Sequence, residues 1–381
     1  MRVKSLKARK IKNSRGEDTI EVIINKKYKA SAPSGASKGK HEVIAFKKNV
    51  EYAVNYLNKY SEIKKIDFEE FEDLAKVENL LKILGGNPVI ALEFALLKAM
   101  SDGEVWRFLL KGRKKMPTPL GNCVGGGKHI KGNAPDIQEF LIAAKEKKFY
   151  KAAAINDYLY QKIGTVLKVK KKTDEGAWAP NISNLEVFEL LNKTIEEVKK
   201  ETGRKILLGV DVAATSFFKN GYYFYKNFSS AERFKKLNRK QQINFIKETI
   251  KKYKLFYVED PLYEEDFKGF SFFEKRKCLV CGDDLICTNI KLLKKAIKNN
   301  SVNAIIVKPN QVGSLIKTKE IIEFARKKEI KTIISHRSGE TLDATIAHLA
   351  VGFRVPYIKC GIFGKERRAK INELIRIERE F

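Results

Sequence analysis

ILLGVD (206–211), LFYVE (255–259), LVCGD (279–283), AIIVK (304–308), TIISH (332–336) and YIK (357–359) share one layout, a short apolar run closed by a single polar or charged residue. From Asp211 through Glu259, Asp283, Lys308 and His336 to Lys359, the intervals are 48, 24, 25, 28 and 23 residues. After the first, each interval matches a strand plus its returning helix. In a parallel β/α barrel the carboxyl ends of the strands converge on one face, where active sites sit. Three carboxylates, two lysines and a histidine therefore arrive around one cavity. Clustered carboxylates repel one another unless a cation joins them. Spacing alone predicts a divalent-metal site that holds a lysine base. A lone strand-end aspartate reads as a helix cap. Three acids at successive strand ends, followed by a lysine on the next, do not. Asp174, Asp260 and Asp284, beside the functional carboxylates, read as supporting or turn residues.

At 381 residues the chain exceeds what one core usually supports, so two domains are expected. Alternating stretches at RVKSLKARKI, TIEVIIN and KYKASAP predict a three-stranded antiparallel meander. Helical patterns follow near 49–63, 67–83 and 88–102, the last opening at Asn87-Pro88, where proline suits the first turn. The loop KGRKKMPTP leads into the strand-like LGNCV, which places the boundary near residue 115. Residues 1–115 are expected to form a smaller α+β capping domain and residues 116–381 a β/α barrel. Helices are expected near 147–168, 185–201, 239–253, 291–299, 314–328, 341–351 and 365–380. So many β/α repeats predict a parallel sheet closed on itself.

With 43% apolar residues and no unbroken apolar run long enough to span a bilayer, no transmembrane segment is predicted. MRVKSLKARK has basic residues but no apolar stretch behind it, so no signal peptide is read there. The five cysteines are not spaced as a disulfide framework. Cys278 and Cys281 form a CxxC within an apolar strand pattern, with no second pair, and read as structural. The expected compartment is a reducing cytoplasm. A net charge of +30 favours anionic partners. The densest stretch, Lys145–Lys172, carries nine lysines and two acids and reads as a solvated helix face. No zinc-finger, RNP-type or GXXG signature accompanies it, so a nucleic-acid partner is not expected.

SAPSGASKGKHE (31–42) is rich in small residues and precedes no Rossmann pattern. Serines and a histidine around two glycines read as a mobile lid rather than a linker. His41 lies in this loop, His129 in GGGKHIKG and His336 in SHRSGE; only His348, inside TLDATIAHLAVGF, reads as plainly structural.

These segments resemble the enolase family. The resemblance runs from about Ser5 to Glu380 and is carried by NSRGEDTIEV (13–22), PSGASKGKHE (33–42), GGGKH (125–129), QEF (138–140), DEGAWAPN (174–181), DVAATSFF (211–218), VEDPL (258–262), GDDLICTN (282–289), VKPNQVGS (307–314), SHRSGET (335–341) and IKCG (358–361). It implies a small α+β domain ahead of an enolase-type barrel. The implied activity is reversible, Mg²⁺-dependent dehydration of 2-phospho-D-glycerate to phosphoenolpyruvate, in glycolysis and gluconeogenesis. Two Mg²⁺ per site, a cytoplasmic location and a homodimer or higher homo-oligomer are implied with it.

Residue by residue, the resemblance gives Asp211, Glu259 and Asp283 as ligands of the tighter Mg²⁺, and Ser37 as the lid ligand of the second. It gives Lys308 as the base at the carbon next to the carboxylate. Glu175 matches the general acid for the leaving hydroxyl, with Glu139 in the same network. Lys359 matches the cation facing the carboxylate. Arg337 and Ser338 match phosphate contacts, and His129, Gln138 and His336 match residues on the leaving-group side.

The chemistry accounts for these types. Removing a proton beside a carboxylate adds a second negative charge, which cations must stabilise; pairing a lysine base with Mg²⁺ is the superfamily's known pattern, not a deduction from this chain. Lys308 must be neutral to act, and Glu175 must be protonated when hydroxide leaves. A planar guanidinium suits phosphate.

The chain departs from the family's usual pattern in Gly125 for Asn, Ala177 for a second glycine and Ser216 for an acid, and QEF sits one residue further from His129. Two alternatives remain: a superfamily enzyme acting on another α-hydroxy acid, and a basic RNA- or surface-binding protein on the same scaffold.

Overall fold

The computed structural model describes residues 1–35, 39–130 and 132–381. Three strands, β1 (Leu6–Lys12), β2 (Asp18–Ile24) and β3 (Tyr28–Ser31), form an antiparallel sheet in that order. Alternation explains its inner face: Ile20, Val22 and Ile24 of β2 are buried, every second residue of a pleated strand. Helix Gly86–Met100 covers that face and is buried from Gly86 to Leu97. Helices Val50–Lys59 and Val105–Leu109 and the 3₁₀ turns around Phe71–Leu80 complete this part.

Eight strands then close a barrel: β4 (Thr118–Gly125), β5 (Glu139–Ala144), β6 (Ile206–Asp211), β10 (Tyr257–Glu259), β11 (Leu279–Gly282), β12 (Ala304–Val307), β13 (Lys331–Ser335) and β14 (Tyr357–Lys359). A compact cluster including Leu120, Leu141, Tyr257, Ile306 and Ile333 fills its interior, separate from the larger core between barrel and helices. The helices fall close to their predicted positions, for example Phe149–Leu167, Asn184–Thr202 and Leu315–Lys327. Ser183 caps Asn184–Thr202 in a capping box with Glu186, which fixes where that helix starts.

The barrel is not all parallel, as the β/α repeat had implied. β5 runs antiparallel to both β4 and β6, whereas every other pairing in the barrel is parallel. The reason is local. A parallel return needs a crossover of a dozen or more residues, usually helical. Among its described residues the β4–β5 connection holds only a short 3₁₀ turn, Gly127–His129, and no crossover helix, so the chain folds back on itself. The reversal places the first residue of β5, Glu139, at the same end as the last residues of its neighbours, opposite Gly125 and Asp211.

A second three-stranded antiparallel sheet, unanticipated, follows β6: β7 (Phe218–Lys219), β8 (Tyr222–Tyr225) and β9 (Lys235–Asn238). The small sheet domain docks on the barrel through two loops. Ser14 N donates to Glu340 O at 2.7 Å, and Ser34 and Gly339 exchange paired backbone bonds at 2.8 Å. No described helix is long and apolar enough to cross a membrane.

Candidate active site

His129, Gln138, Glu139, Glu175, Asp211, Asp283, Lys308, His336, Arg337, Ser338 and Lys359 line one polar cleft at the carboxyl end of the barrel. Glu259 stands immediately behind it, fully buried. Ser37 lies outside the described residues.

Strand geometry delivers the charged half. β6 and β10 put Asp211 and Glu259 side by side in register, and β14 brings Lys359 to them. The Lys359 ammonium donates to Glu259 Oε2 at 2.9 Å and Asp211 Oδ2 at 3.0 Å, and lies 3.3 Å from Glu139 Oε1. Burial opposes its charge, but Asp211, Glu139 and Glu259 together hold it well above the usual lysine value. Lys308 ends β12 and pairs with Asp283. Burial again works against the ammonium and Asp283 overrides it, so Lys308 sits above its ordinary range. Asp283 also accepts from Gln311 Nε2 at 3.0 Å. Asp260 accepts the backbone N–H groups of Asp283 and Asp284 at 3.1 and 2.7 Å, the turn-holding part expected of it.

The opposite half holds the protonatable set. His129 Nδ1 is 2.8 Å from Asp174 Oδ1, and its Nε2 faces Glu175 Oε1 at 3.7 Å. His336 Nε2 faces the other Glu175 oxygen, also at 3.7 Å. Burial would discharge His129, yet Glu175 and Asp174 push it up to about 9. Burial would protonate Glu175, yet His129, His336 and nearby cations hold it well below the usual carboxylate range. The two shifts are one attraction seen from both sides. The His129–Glu175 pair therefore carries a single proton near neutrality. Burial and the surrounding carboxylates raise Glu139 far above its normal value, with Lys359 opposing them.

A histidine raised above its unfolded value of about 6.5 stabilises the fold fully below that pH. The contribution is lost as pH rises through about 9, the folded value. In chelated protein we expect up to roughly 3 kcal/mol of pH-dependent stability in this window, which His129→Asn removes. Melting temperatures of both proteins from pH 6 to 10 measure it; parallel curves would disprove the assignment.

Arg337 is met by a residue the sequence reading passed over. Glu42, from the small domain, accepts from its Nη2 through Oε2 at 2.9 Å and Oε1 at 3.2 Å. Asn310 Oδ1 accepts from Nη1 at 3.2 Å. A Cβ at Gly35 would fall 2.0 Å from Arg337 Nη2, so only glycine admits the guanidinium there. Glu42 directly follows His41 in the loop SAPSGASKGKHE. His41 is exposed and does not line the cleft.

Two departures from the family pattern touch each other. A Cβ at Gly125 would meet Ala177 Cβ at 3.3 Å and Thr173 Cγ2 at 2.7 Å. Ala177 therefore fits because position 125 is bare. Thr173 Oγ1 accepts from Glu175 N at 3.3 Å and Ala177 N at 3.2 Å, tying the Glu175 turn down. The shifted QEF still delivers Gln138 and Glu139 to the cleft, through the β4–β5 reversal.

The donors suit a hard cation. Asp260, Asp283 and Asp284 bring ligand atoms within 4.8 Å of one another, as do His129, Glu139 and Glu175. The predicted trio Asp211, Glu259 and Asp283 occupies neighbouring strand ends, although Asp211 and Glu259 are outside those two groups. Glu259 Oε1 is buried without a hydrogen-bond partner among the described residues. Burial and like charge raise Glu259 to about 8 and Asp284 to about 7, repulsion that a cation would relieve.

Comparison with known proteins agrees with this geometry. The family model described as "Enolase, C-terminal TIM barrel domain" matches residues 113–381. Proteins named Enolase from Methanosphaera stadtmanae and Thermoplasma acidophilum are 38% and 36% identical, over 99% of this chain and 97% and 98% of theirs. The one from Methanocorpusculum labreanum is 39% identical over 98% of both chains. With the barrel, the reversed second strand and the cleft already in place, these matches settle the family: the chain belongs to the enolases.

Proposed function

We propose that this chain is a cytoplasmic, homodimeric enolase that reversibly dehydrates 2-phospho-D-glycerate to phosphoenolpyruvate with two Mg²⁺ per site. Residues 1–115 act as its capping domain and 116–381 as its catalytic barrel. One observation carries the reading. Lys308 ends β12 and Glu139 begins β5, strands four apart in either direction round the eight-strand barrel. A base and a proton-bearing set thus face a bound molecule from opposite walls, as elimination of a proton and a hydroxyl requires.

Asp211, Glu259 and Asp283 would hold the first ion, and Ser37 remains the candidate for the second. When bound, the ions supply charge stabilisation to the substrate carboxylate. Lys308, in its neutral form, takes the C2 proton. Lys359 is fixed by three carboxylates and keeps its charge at that carboxylate. The proton held by the Glu175–His129 pair leaves with the 3-hydroxyl as water, with Glu139 beside them in the same network. Gln138 and His336 border this side. Arg337 and Ser338 take the phosphate, and an arginine fork committed to a dianion disfavours unphosphorylated α-hydroxy acids.

The test is the ultraviolet absorbance of phosphoenolpyruvate formed from 2-phosphoglycerate, with and without Mg²⁺. Product is expected only with the metal. Absence of product in its presence would overturn the reading.

A further inference from the structure

The segment 217–240 carries eight aromatic and seven basic residues against one acid, Glu232. Its sheet has one face committed to the fold. Tyr223, Tyr225 and Leu237 are buried, and the Tyr225 hydroxyl donates to Gln242 at 3.0 Å. The other face is open. Tyr222 and Phe224, both on the middle strand β8, are each 39% exposed. Register places Lys219 of β7 across from Tyr222, and Lys236 of β9 across from Phe224. The Lys236 ammonium lies 3.8 Å from the Tyr222 ring centre and 5.6 Å from that of Phe224. Phe234, just ahead of β9, is 78% exposed. Phe224 also borders a cleft of about 330 Å³ shared with Lys128, Lys226 and Arg233.

Charge narrows the occupant. Glu232 is already bound to Lys235 at 2.5 Å, whereas Lys219, Lys226 and Lys236 make no ion pair with a carboxylate among the described residues. The patch thus offers cations without carboxylate partners beside exposed rings, one of them, Lys236, resting over the Tyr222 ring. The ring centres of Tyr222 and Phe224 lie 6.4 Å apart on this face, tilted 59° to each other. Successive bases stack on such rings while phosphates meet neighbouring lysines, as on antiparallel sheets that bind single strands. A purely acidic chain such as polyglutamate, with no flat rings of its own, would use the lysines and leave the aromatic faces unstacked.

We propose that the outer face of β7–β9 binds single-stranded nucleic acid, through stacking on Tyr222 and Phe224 and phosphate contacts from Lys219 and Lys236. This is independent of the reaction in the cleft.

The experiment is fluorescence anisotropy of a labelled oligouridylate over a potassium chloride series, with the full chain. Tyr222→Ala/Phe224→Ala is expected to weaken binding at least about tenfold with an unchanged salt slope. Lys219→Gln/Lys236→Gln is expected to flatten the log–log slope by about 1.4, two lost single-strand phosphate contacts. Tyr222→Leu/Phe224→Leu keeps the apolar bulk without a ring face, so its weakening separates stacking from loss of fold, which melting temperature checks. Three results overturn the proposal: no binding by the wild type, ring variants that bind as tightly as the wild type, or a slope unchanged in the lysine variant. Polyglutamate that displaces the strand equally well, charge for charge, marks an acidic protein partner and also overturns it.

Discussion

Replacing Lys308 by alanine is expected to stop exchange of the C2 proton of 2-phosphoglycerate with solvent and to lower kcat by about 10²–10⁴-fold, the usual worth of a positioned general base. The structure makes this variant informative because Lys308 directly follows β12, lines the cleft and is paired with Asp283. Lys359, the other ammonium in the cleft, is tied to Asp211 and Glu259. Glu175→Gln should behave differently, retaining exchange while losing elimination, since only the proton donor is removed. Deuterium incorporation at C2, followed beside product formation, separates the two steps. Equal loss of exchange in both variants, with substrate still bound, would mean the roles are misassigned.

Excess chelator is expected to abolish turnover, and Asp283→Asn to lower both Mg²⁺ affinity and activity, the latter by about 10²–10⁴-fold, the equivalent of several kcal/mol of lost charge stabilisation. Asp283 has two tasks in the structure. It stands among the clustered carboxylates, and it is the anion that holds Lys308 protonated. The asparagine variant should therefore also move the ascending limb of the rate–pH profile, on which Lys308 loses its proton, to lower pH, because the partner that raises Lys308 is gone. Metal titration and a rate–pH profile read the effects independently. Full activity in chelator would refute the metal assignment.

Much of this site was written in the chain because strand ends impose it. A barrel strand must be apolar inside and may turn polar only where it emerges, so Asp211, Glu259, Asp283, Lys308, His336 and Lys359 announced themselves by position. The direction of β5 was not legible from its own residues. EFLIAA is buried throughout, and after Glu139 it is an unbroken apolar run with no alternation to mark its direction. The only signal was the missing helix between residues 126 and 138. The β7–β9 sheet was hidden for a related reason: YYFY alternates in burial but not in polarity, since its exposed positions are aromatic too. Glu42 was illegible because its partner, Arg337, is 295 residues away. Gly125 and Ala177 looked like two separate departures until contact in space made them one.

The Glu42–Arg337 pair gives the cleft an internal competitor. An incoming anion does not find a vacant guanidinium; it enters an exchange, releasing one carboxylate for each group captured. Its apparent affinity is its intrinsic affinity scaled by the fraction of molecules in which that exchange has occurred. The arrangement is expected to act as a threshold on ligand charge, since a dianion competes with a carboxylate for the guanidinium better than a monoanion of the same shape does. A ligand series with one carbon frame and falling charge reads that threshold directly. Glu42 also accepts from Gly39 N at 3.0 Å and Gln311 Nε2 at 3.3 Å, and Val43 N donates to Gln311 O at 2.9 Å, so its segment keeps anchors of its own when the arginine changes partner.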